Sequence, residues 1–431
     1  MKLEKRKINP LDLKIGMYVS ELDRPWIESP FLIQGFEIRD NQDIQQLQNL
    51  CGYVYVDELK SKVDINEAEL TPVIEEPKPK GGLKVDVNRP SAAKKAIAQG
   101  GSIADIPAPP EPSVDFMDEL EEAREIHDRM NTVVNKLYDS ISRNKVPDFA
   151  QVESVVSDVV SSLNRNEFAL EWMTQLKDKD QFTAQHSMNV GIFSVKLGRH
   201  LGLHEDIQKV LGMCGLMHDI GKIKVPKRIL MKPNSLTEAE MAIMQKHTEV
   251  GVKILKQTPN VPVEVINVCE KHHERMDGRG YPNQLTGDRL DLMTRIVSIA
   301  DAYDAMTSET HYNPGFSSSH AMSELYRQKN KAYDAELVDA FIRAIGVFPV
   351  GTVIETHTGE VGIVISTSDD NRLNPSIIMV LNSKKKPFEK AHILNTAKVM
   401  AENGEDFRFN IRRALNPGNY GVHPKNHFIS Y

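Results

Sequence analysis

The chain has 431 residues, 40% of them hydrophobic and 26% charged, and a formal net charge of −7. This length suits two or three domains of ordinary globular composition, and the acidic balance argues against a general nucleic-acid binder, which needs a basic surface. A small anionic ligand held on a local basic spot stays compatible with it.

No apolar run approaches the roughly 18 residues that cross a bilayer, and the N-terminus, MKLEKRKINPLDLKIGMYV, lacks the apolar core of a signal peptide. Cys51, Cys214 and Cys269 are scattered without a CxxC. They predict buried thiols in a reducing, cytoplasmic setting rather than a disulfide frame or a zinc–thiolate site.

Residues 1–70 alternate short apolar runs with turns. MYVSEL, FLIQGFEI and GYVYVDEL predict strands, and DIQQLQNL predicts a short helix. This is a small α+β accessory module without a catalytic constellation. Residues 71–113, with TPVIEEPKPKGGLK and ADIPAPPEPS, are rich in Pro, Gly, Ala and charge, as a linker is. From there to about residue 345 the periodicity is helical, beginning with MDELEEAREIHDRMNTVVNKLYDSI and FAQVESVVSDVVSSLN. Residues 346–431 predict a small β appendage and tail, with strands in GTVIETHTGEVGIVISTS and SIIMVLNS around a Gly-Glu turn.

Histidine and aspartate concentrate in the helical region. DQFTAQHSMNVGIFSVKLGRHLGL places His186 near the start of a helix whose buried face carries Val190, Phe193, Leu197 and Leu201. CGLMHDIGKIKVP places His218 and Asp219 on an apolar helix closed by Gly221 and Pro226. LTEAEMAIMQKHTEVGVKIL opens on a Thr237–Glu240 capping box and carries His247 on the face of Met244. VINVCEKHHERMDGRGYP adds His272 and His273, and RIVSIADAYDAMTS adds Asp301 and Asp304 at i, i+3. One histidine on an apolar helix is usually a hydrogen-bonded core residue. Burying this many imidazoles and carboxylates unpaired would cost several kcal/mol each, so convergence on cations is the economical reading. Nitrogen and oxygen donors without thiolate suit iron, manganese or other first-row divalent metals.

His186, the His218–Asp219 pair with Lys222, His247, HHERMDGRGYP and Asp301, in that order, resemble the HD-GYP family of HD metal-dependent phosphohydrolases over about residues 170–345. Connecting text such as HDIGKIKVP and ILMKPNSLTEAE matches as well, and the N-terminal module and linker resemble an attachment common before such domains. The resemblance implies a mainly α fold, an HD-type helical bundle, with the small N-terminal α+β module and the C-terminal β appendage beside it. It implies hydrolysis of a cyclic dinucleotide, chiefly cyclic di-GMP, to a linear dinucleotide or to mononucleotide. His186, His218, Asp219 and Asp301 would bind one metal, Asp219 would bridge, and His247, His272 and His273 would complete the second. Three-metal members carry a glutamate where this chain has Phe182, so two metals are expected. Two cations lower the pKa of a bridging water and hold hydroxide for in-line attack on phosphorus. Lys222, three residues after Asp219, would stabilise phosphate charge, Asp180 would help proton transfer, and Asp304 would orient a ligand. Asp277, Gly278 and Gly280 suit a tight turn. Tyr281 on that turn would shape the ligand cavity and a surface for a signalling partner such as a diguanylate cyclase; a homodimer is left open.

The chain departs from its relatives at ETHYN, Glu309–Asn313, where they carry basic residues in a stretch like DRPYR; Thr310 and Asn313 stand at the basic positions. Losing arginine there removes bidentate recognition of phosphate or a guanine edge. Either another cyclic dinucleotide, such as 3′3′-cyclic GMP-AMP, is preferred, or cyclic di-GMP is held by other groups, His311 included. A non-catalytic module binding a nucleotide or partner is the competing reading, opposed by the complete ligand set. A hydrolase of mononucleotides or linear phosphodiesters is a third, opposed by the GYP segment.

Overall fold

The computed structural model describes residues 5–23, 35–58, 60–63, 112–175, 182–308, 315–367, 375–396, 411–415 and 418–427. The expected linker up to residue 111, Asp180 and the ETHYN stretch (Thr310, His311 and Asn313 among it) lie outside the described residues. The chain divides into two compact units, Met1–Pro90 and Ser91–Tyr431.

In the first unit, β1 (Lys5–Ile8), β2 (Tyr18–Leu22), β3 (Phe36–Glu37) and β4 (Val54–Asp57) form an antiparallel sheet in the order β1-β4-β2-β3. Helix α1 (Asn41–Leu50) follows β3. Ile8, Val19, Phe36, Ile38, Leu47, Val54 and Val56 are buried together as its core residues. The register shifts between Val19 and Glu21 where β2 meets β4, a bulge that locally increases strand twist. Strand β1 has no counterpart among the strands expected from sequence. KRKI is too charged to alternate visibly, and only Ile8 of its described side chains is buried.

The second unit is helical up to residue 345. Helix α2 (Phe116–Ser142) buries Phe116, Ala123, Ile126, Met130, Val134, Leu137 and Ile141, one stripe at three- and four-residue spacing. It packs on α3 (Phe149–Arg165), capped by Asp148 accepting from Ala150 N at 3.1 Å. Glu119 sits on the α2 stripe because Ser162 and Arg165 of α3 satisfy it: Ser162 Oγ donates at 2.7 Å and Arg165 Nε at 2.8 Å. Asn166 caps the short α4 (Glu167–Met173).

Helices α5 (Phe182–His200) and α6 (Glu205–Met217) pack directly against each other. A Cβ on Gly215 would stand 2.7 Å from Gly191 Cα, so glycine at these positions lets the two backbones touch. That contact holds the start of α5 against the end of α6, where His186 and His218 lie. The rest of the helical region is α7 (Lys227–Leu230), α8 (Glu238–Gln245), α9 (His247–Gln257), α10 (Val263–Lys271), α11 (Leu292–Thr307), α12 (Ser318–Arg327) and α13 (Ala335–Ile345).

After Gly346, β5 (Val353–Thr356), β6 (Val361–Ser366), β7 (Ser376–Leu381), β8 (Pro387–Asn395) and β9 (Ile411–Leu415) build an antiparallel sheet in the order β8-β7-β6-β5-β9. Phe348, Ile354, Val364, Ile377 and Met379 form its core. The protein is therefore mainly α, with small sheets toward both ends, as the sequence predicts. Among the described residues no helix is long and apolar enough to cross a membrane.

Candidate metal centre

Residues on or beside five helices supply the site. His186 stands in the second turn of α5. Helix α6 stops at Met217, one residue short of the pair that the sequence reading put on the helix: His218 is its C-cap, and Asp219, at φ −103° and ψ 11°, turns the chain into a 3₁₀ helix over Ile220–Lys224. A 3₁₀ turn repeats every three residues, so Lys222 falls over Asp219 and its ammonium contacts Asp219 Oδ2 directly. Gly221 makes this turn possible, because a Cβ there would lie 1.9 Å from the His247 carbonyl oxygen. The helix expected through 236–255 is broken at Lys246. The Thr237–Glu240 capping box starts α8, and His247 begins a new helix with its Nδ1 2.8 Å from Met244 O. His272 and His273 follow the last turn of α10, and Asp301 and Asp304 share one face of α11.

These residues meet. Asp219, His247, His272 and His273 form one group and His186, His218 and Asp301 another, the candidate ligand atoms of each lying within 4.8 Å of one another. Asp219 faces both groups. Its Oδ1 is 3.2 Å from His247 Nε2 and 3.6 Å from His272 Nε2; its Oδ2 is 3.2 Å from His218 Nε2 and 3.7 Å from His186 Nε2. Asp301 Oδ1 is 3.0 Å from His186 Nε2, and its Oδ2 is 3.8 Å from His273 Nδ1.

Four rings are aimed the same way. The Nδ1–H of His218 donates to Gly215 O at 2.7 Å, that of His247 to Met244 O, and that of His272 to Val268 O at 3.1 Å. A carbonyl only accepts, so each ring carries its proton on Nδ1 and turns the Nε2 lone pair inward. His186 donates Nδ1–H to Asp304 Oδ2 at 2.7 Å, and Asp304 is held by Asn189 Nδ2 at 2.9 Å and Ser308 Oγ at 3.1 Å. Among the described residues, buried His218 Nε2 and Asp219 Oδ1 have no hydrogen-bond partner. Buried polar atoms are rarely left so. Inward lone pairs, orphaned atoms and a two-faced carboxylate together fit a pair of divalent cations.

The electrostatics agree with that fit. Burial pushes the Asp219 carboxyl up, but His218 and Lys222 outweigh it and hold Asp219 well below the usual carboxylate range. Asp301 is likewise lowered, chiefly by His186 working against burial. Burial pushes His272 down to about 4 and His273 well below its ordinary value, so both are neutral, as ligands must be. For His186 burial is outweighed by hydrogen bonds to Asp301 and Asp304, and its pKa rises to about 10 without metal. Lys222, opposite Asp219, keeps its charge.

Glu274, the acid of HHERMDGRGYP, is a residue whose role the sequence reading missed. It is buried and accepts from Asn283 N at 2.6 Å and Leu285 N at 2.9 Å, clamping the turn that follows the histidines. An acid inside a stretch of turn formers was the available signal. Gly280 completes the fold-back, since a Cβ there would meet Glu274 Cα at 2.4 Å. The Tyr281–Pro282 peptide is cis, and the Tyr281 ring lies on His273, centroids 4.6 Å apart. Asn189, three residues after His186 on the same helix face, was also passed over.

Residues 172–337 match the HD domain model, and residues 5–152 match a domain of unknown function, DUF3391. The chain is 28% identical over 389 residues, 88% of its own length and 86% of the relative's, to cyclic di-GMP phosphodiesterase PA4108 of Pseudomonas aeruginosa. It is 37% identical to 3′3′-cGAMP-specific phosphodiesterase 1 of Vibrio cholerae over 38% of each chain. It is 37% identical to the cyclic di-GMP phosphodiesterase response regulator RpfG of Xanthomonas campestris over 34% of this chain and 39% of that one. The match thus spans most of the first relative but well under half the length of the other two.

Proposed function

We propose that the chain, whose residues 172–337 match the HD domain model, is a metal-dependent phosphodiesterase opening a cyclic dinucleotide, cyclic di-GMP or 3′3′-cyclic GMP-AMP, to the linear dinucleotide. The observation that carries the reading is the Asp219 carboxylate, one oxygen toward His218 and the other toward His247 at 3.2 Å each. The naming of a relative over most of the chain for cyclic di-GMP, and of a shorter match for 3′3′-cGAMP, supports both substrates.

His186, His218, Asp219 and Asp301 would hold one metal and His247, His272 and His273 the other, with Asp219 shared. Nitrogen and oxygen donors without thiolate favour iron or manganese. Bound there, two such cations supply an activated water and neutralise charge developing at phosphorus. The chain's own groups do the positioning. The carbonyls of Gly215, Met244 and Val268 and the Asp304 carboxylate fix the ring tautomers. Lys222 offers a fixed positive charge to the phosphate. Asp180 is assigned to proton transfer, and Tyr281 with its turn to the ligand cavity and to a partner such as a diguanylate cyclase. Residues 1–70 are assigned to an accessory module, 71–113 to a linker, 114–345 to the phosphodiesterase domain and 346–431 to the β appendage and tail.

The test incubates iron- or manganese-loaded protein with each cyclic dinucleotide and separates the products. A linear dinucleotide from at least one is expected; none from either metal form sinks the reading. Tyr281→Ala with unaltered kinetics and partner binding removes that residue's part.

A further inference from the structure

We infer that Arg275 anchors the second phosphate of the cyclic dinucleotide, the one that the histidine–aspartate cluster does not hold. The inference rests on the phosphodiesterase reading and names a recognition residue for it. A cyclic dinucleotide is a ring with two phosphodiester anions. Only one can occupy the reacting position, so the other must lie nearby on the surface around the cluster. Lys222 serves the reacting position, because its ammonium is committed to Asp219. The 309–313 stretch, ETHYN, offers neither arginine nor lysine.

Arg275 is two residues past His273, in the turn that Glu274 and Gly280 fold back on itself. A Cβ on Gly280 would lie 2.5 Å from Arg275 N, and Gly278 N donates to Arg275 O at 2.9 Å. The next residues zip onto a second segment: Met276 N donates to Ala332 O at 3.2 Å and Asp277 N to Lys331 O at 2.9 Å. Tyr281 on the same turn stands beside the cluster, its ring 4.6 Å from that of His273 and 6.5 Å from that of His247.

The Arg275 side chain is exposed, and among the described residues it has no hydrogen bond or ion pair. Arg165, Arg295, Arg327 and Arg413, by contrast, are each spent on a carboxylate. An exposed planar guanidinium, on the turn that carries Tyr281 to the metal-type cluster, has the donors for a bidentate phosphate contact.

The experiment uses full-length manganese-loaded protein, wild type, Arg275→Ala and Arg275→Lys, with two kinds of substrate. One is the cyclic dinucleotide that the wild type cleaves; the other is bis(p-nitrophenyl) phosphate, which has a single phosphodiester. Loss of a charge-assisted contact predicts a KM for the cyclic dinucleotide raised about tenfold or more in Arg275→Ala, with kcat little changed. Arg275→Lys should lie between, and kcat/KM for the small diester should not move. An unchanged cyclic-dinucleotide KM in Arg275→Ala overturns the inference. Equal losses on both substrates also overturn it, because they indicate damage to the cluster. If the wild type cleaves the small diester but no cyclic dinucleotide, the phosphodiesterase reading itself has failed and takes this inference with it.

Discussion

Asp219 Oδ1 lies 3.2 Å from His247 Nε2 while the other oxygen of the same carboxylate faces His218, so a single buried side chain joins the two histidine groups. Removing it should therefore differ in kind from removing one histidine. Asp219→Ala is expected to lose both metals, and His247→Ala to lose the second while retaining part of the first. Metal analysis of the purified variants decides this; equal metal loss in the two variants contradicts a shared carboxylate.

Asp304 touches the cluster through His186, whose Nδ1–H it accepts at 2.7 Å, and is itself fixed by Asn189 and Ser308. Its replacement frees the ring to rotate and change tautomer. Asp304→Ala should lower metal affinity or activity about 10- to 100-fold, the usual cost of losing such an orienting partner. Asn189→Ala should cost less, because Ser308 still holds the carboxylate. A metal titration comparing both variants with wild type tests the order.

Lys196 is completely buried on α5, its ammonium against Glu171 of α4 and 3.7 Å from Glu167, which in turn pairs with Arg199 at 3.1 Å. Lys196→Met leaves the Glu171 carboxylate without its cation and should destabilise the fold by about 3–5 kcal/mol. The double variant Lys196→Met, Glu171→Leu should recover much of that loss, because two apolar groups leave no charge uncompensated. Urea unfolding of both variants measures it; a double variant as unstable as the single one refutes the pairing argument.

Residue type made much of this readable in advance. A histidine or aspartate on an apolar helix is conspicuous, and those singled out on the helices do meet in one cluster; Asp180 and His311 lie outside the described residues. What periodicity leaves hidden is contact across long stretches of chain. His186 and Asp304 are 118 residues apart, and nothing local marks them as hydrogen-bonded. Likewise nothing local to FSVKLG marks Lys196 as buried against Glu171, which α4 brings to it. The break at Lys246 was invisible for a similar reason: EMAIMQKHTEV is good helix text throughout, and the interruption serves the approach of Gly221 to the His247 carbonyl.

That approach makes Gly221 a sensitive position. Alanine there puts a methyl where the His247 carbonyl now sits, so the 3₁₀ turn carrying Asp219 and Lys222 must move away from α9. A shift of about 1 Å in a catalytic constellation can cost roughly 100-fold in rate. Gly221→Ala should therefore lose activity well beyond its loss of stability, which overpacking puts at about 1–3 kcal/mol. Thermal unfolding together with turnover separates the two; wild-type turnover in a folded Gly221→Ala protein is the contrary result.

His127 gives the pH dependence a sign. It is buried on the α2 stripe, and among the described residues neither ring nitrogen has a hydrogen-bond partner; the nearest carboxylate oxygen, of Asp128, is 3.8 Å from Nδ1. Burial lowers its pKa below the ordinary 6.5, and Asp128 only partly offsets this. The unfolded chain therefore takes up the proton first as pH falls. The contribution of neutral His127 is whole above pH 6.5 and declines as the pH drops from there through the lowered folded value. His127→Leu removes the titration, so the variant should gain on wild type in unfolding free energy as the buffer is taken from about pH 7.5 to about pH 5.5, across the ordinary histidine pKa. Denaturant midpoints at the two pH values give the difference directly, and a gap between the proteins that stays constant with pH contradicts the assignment.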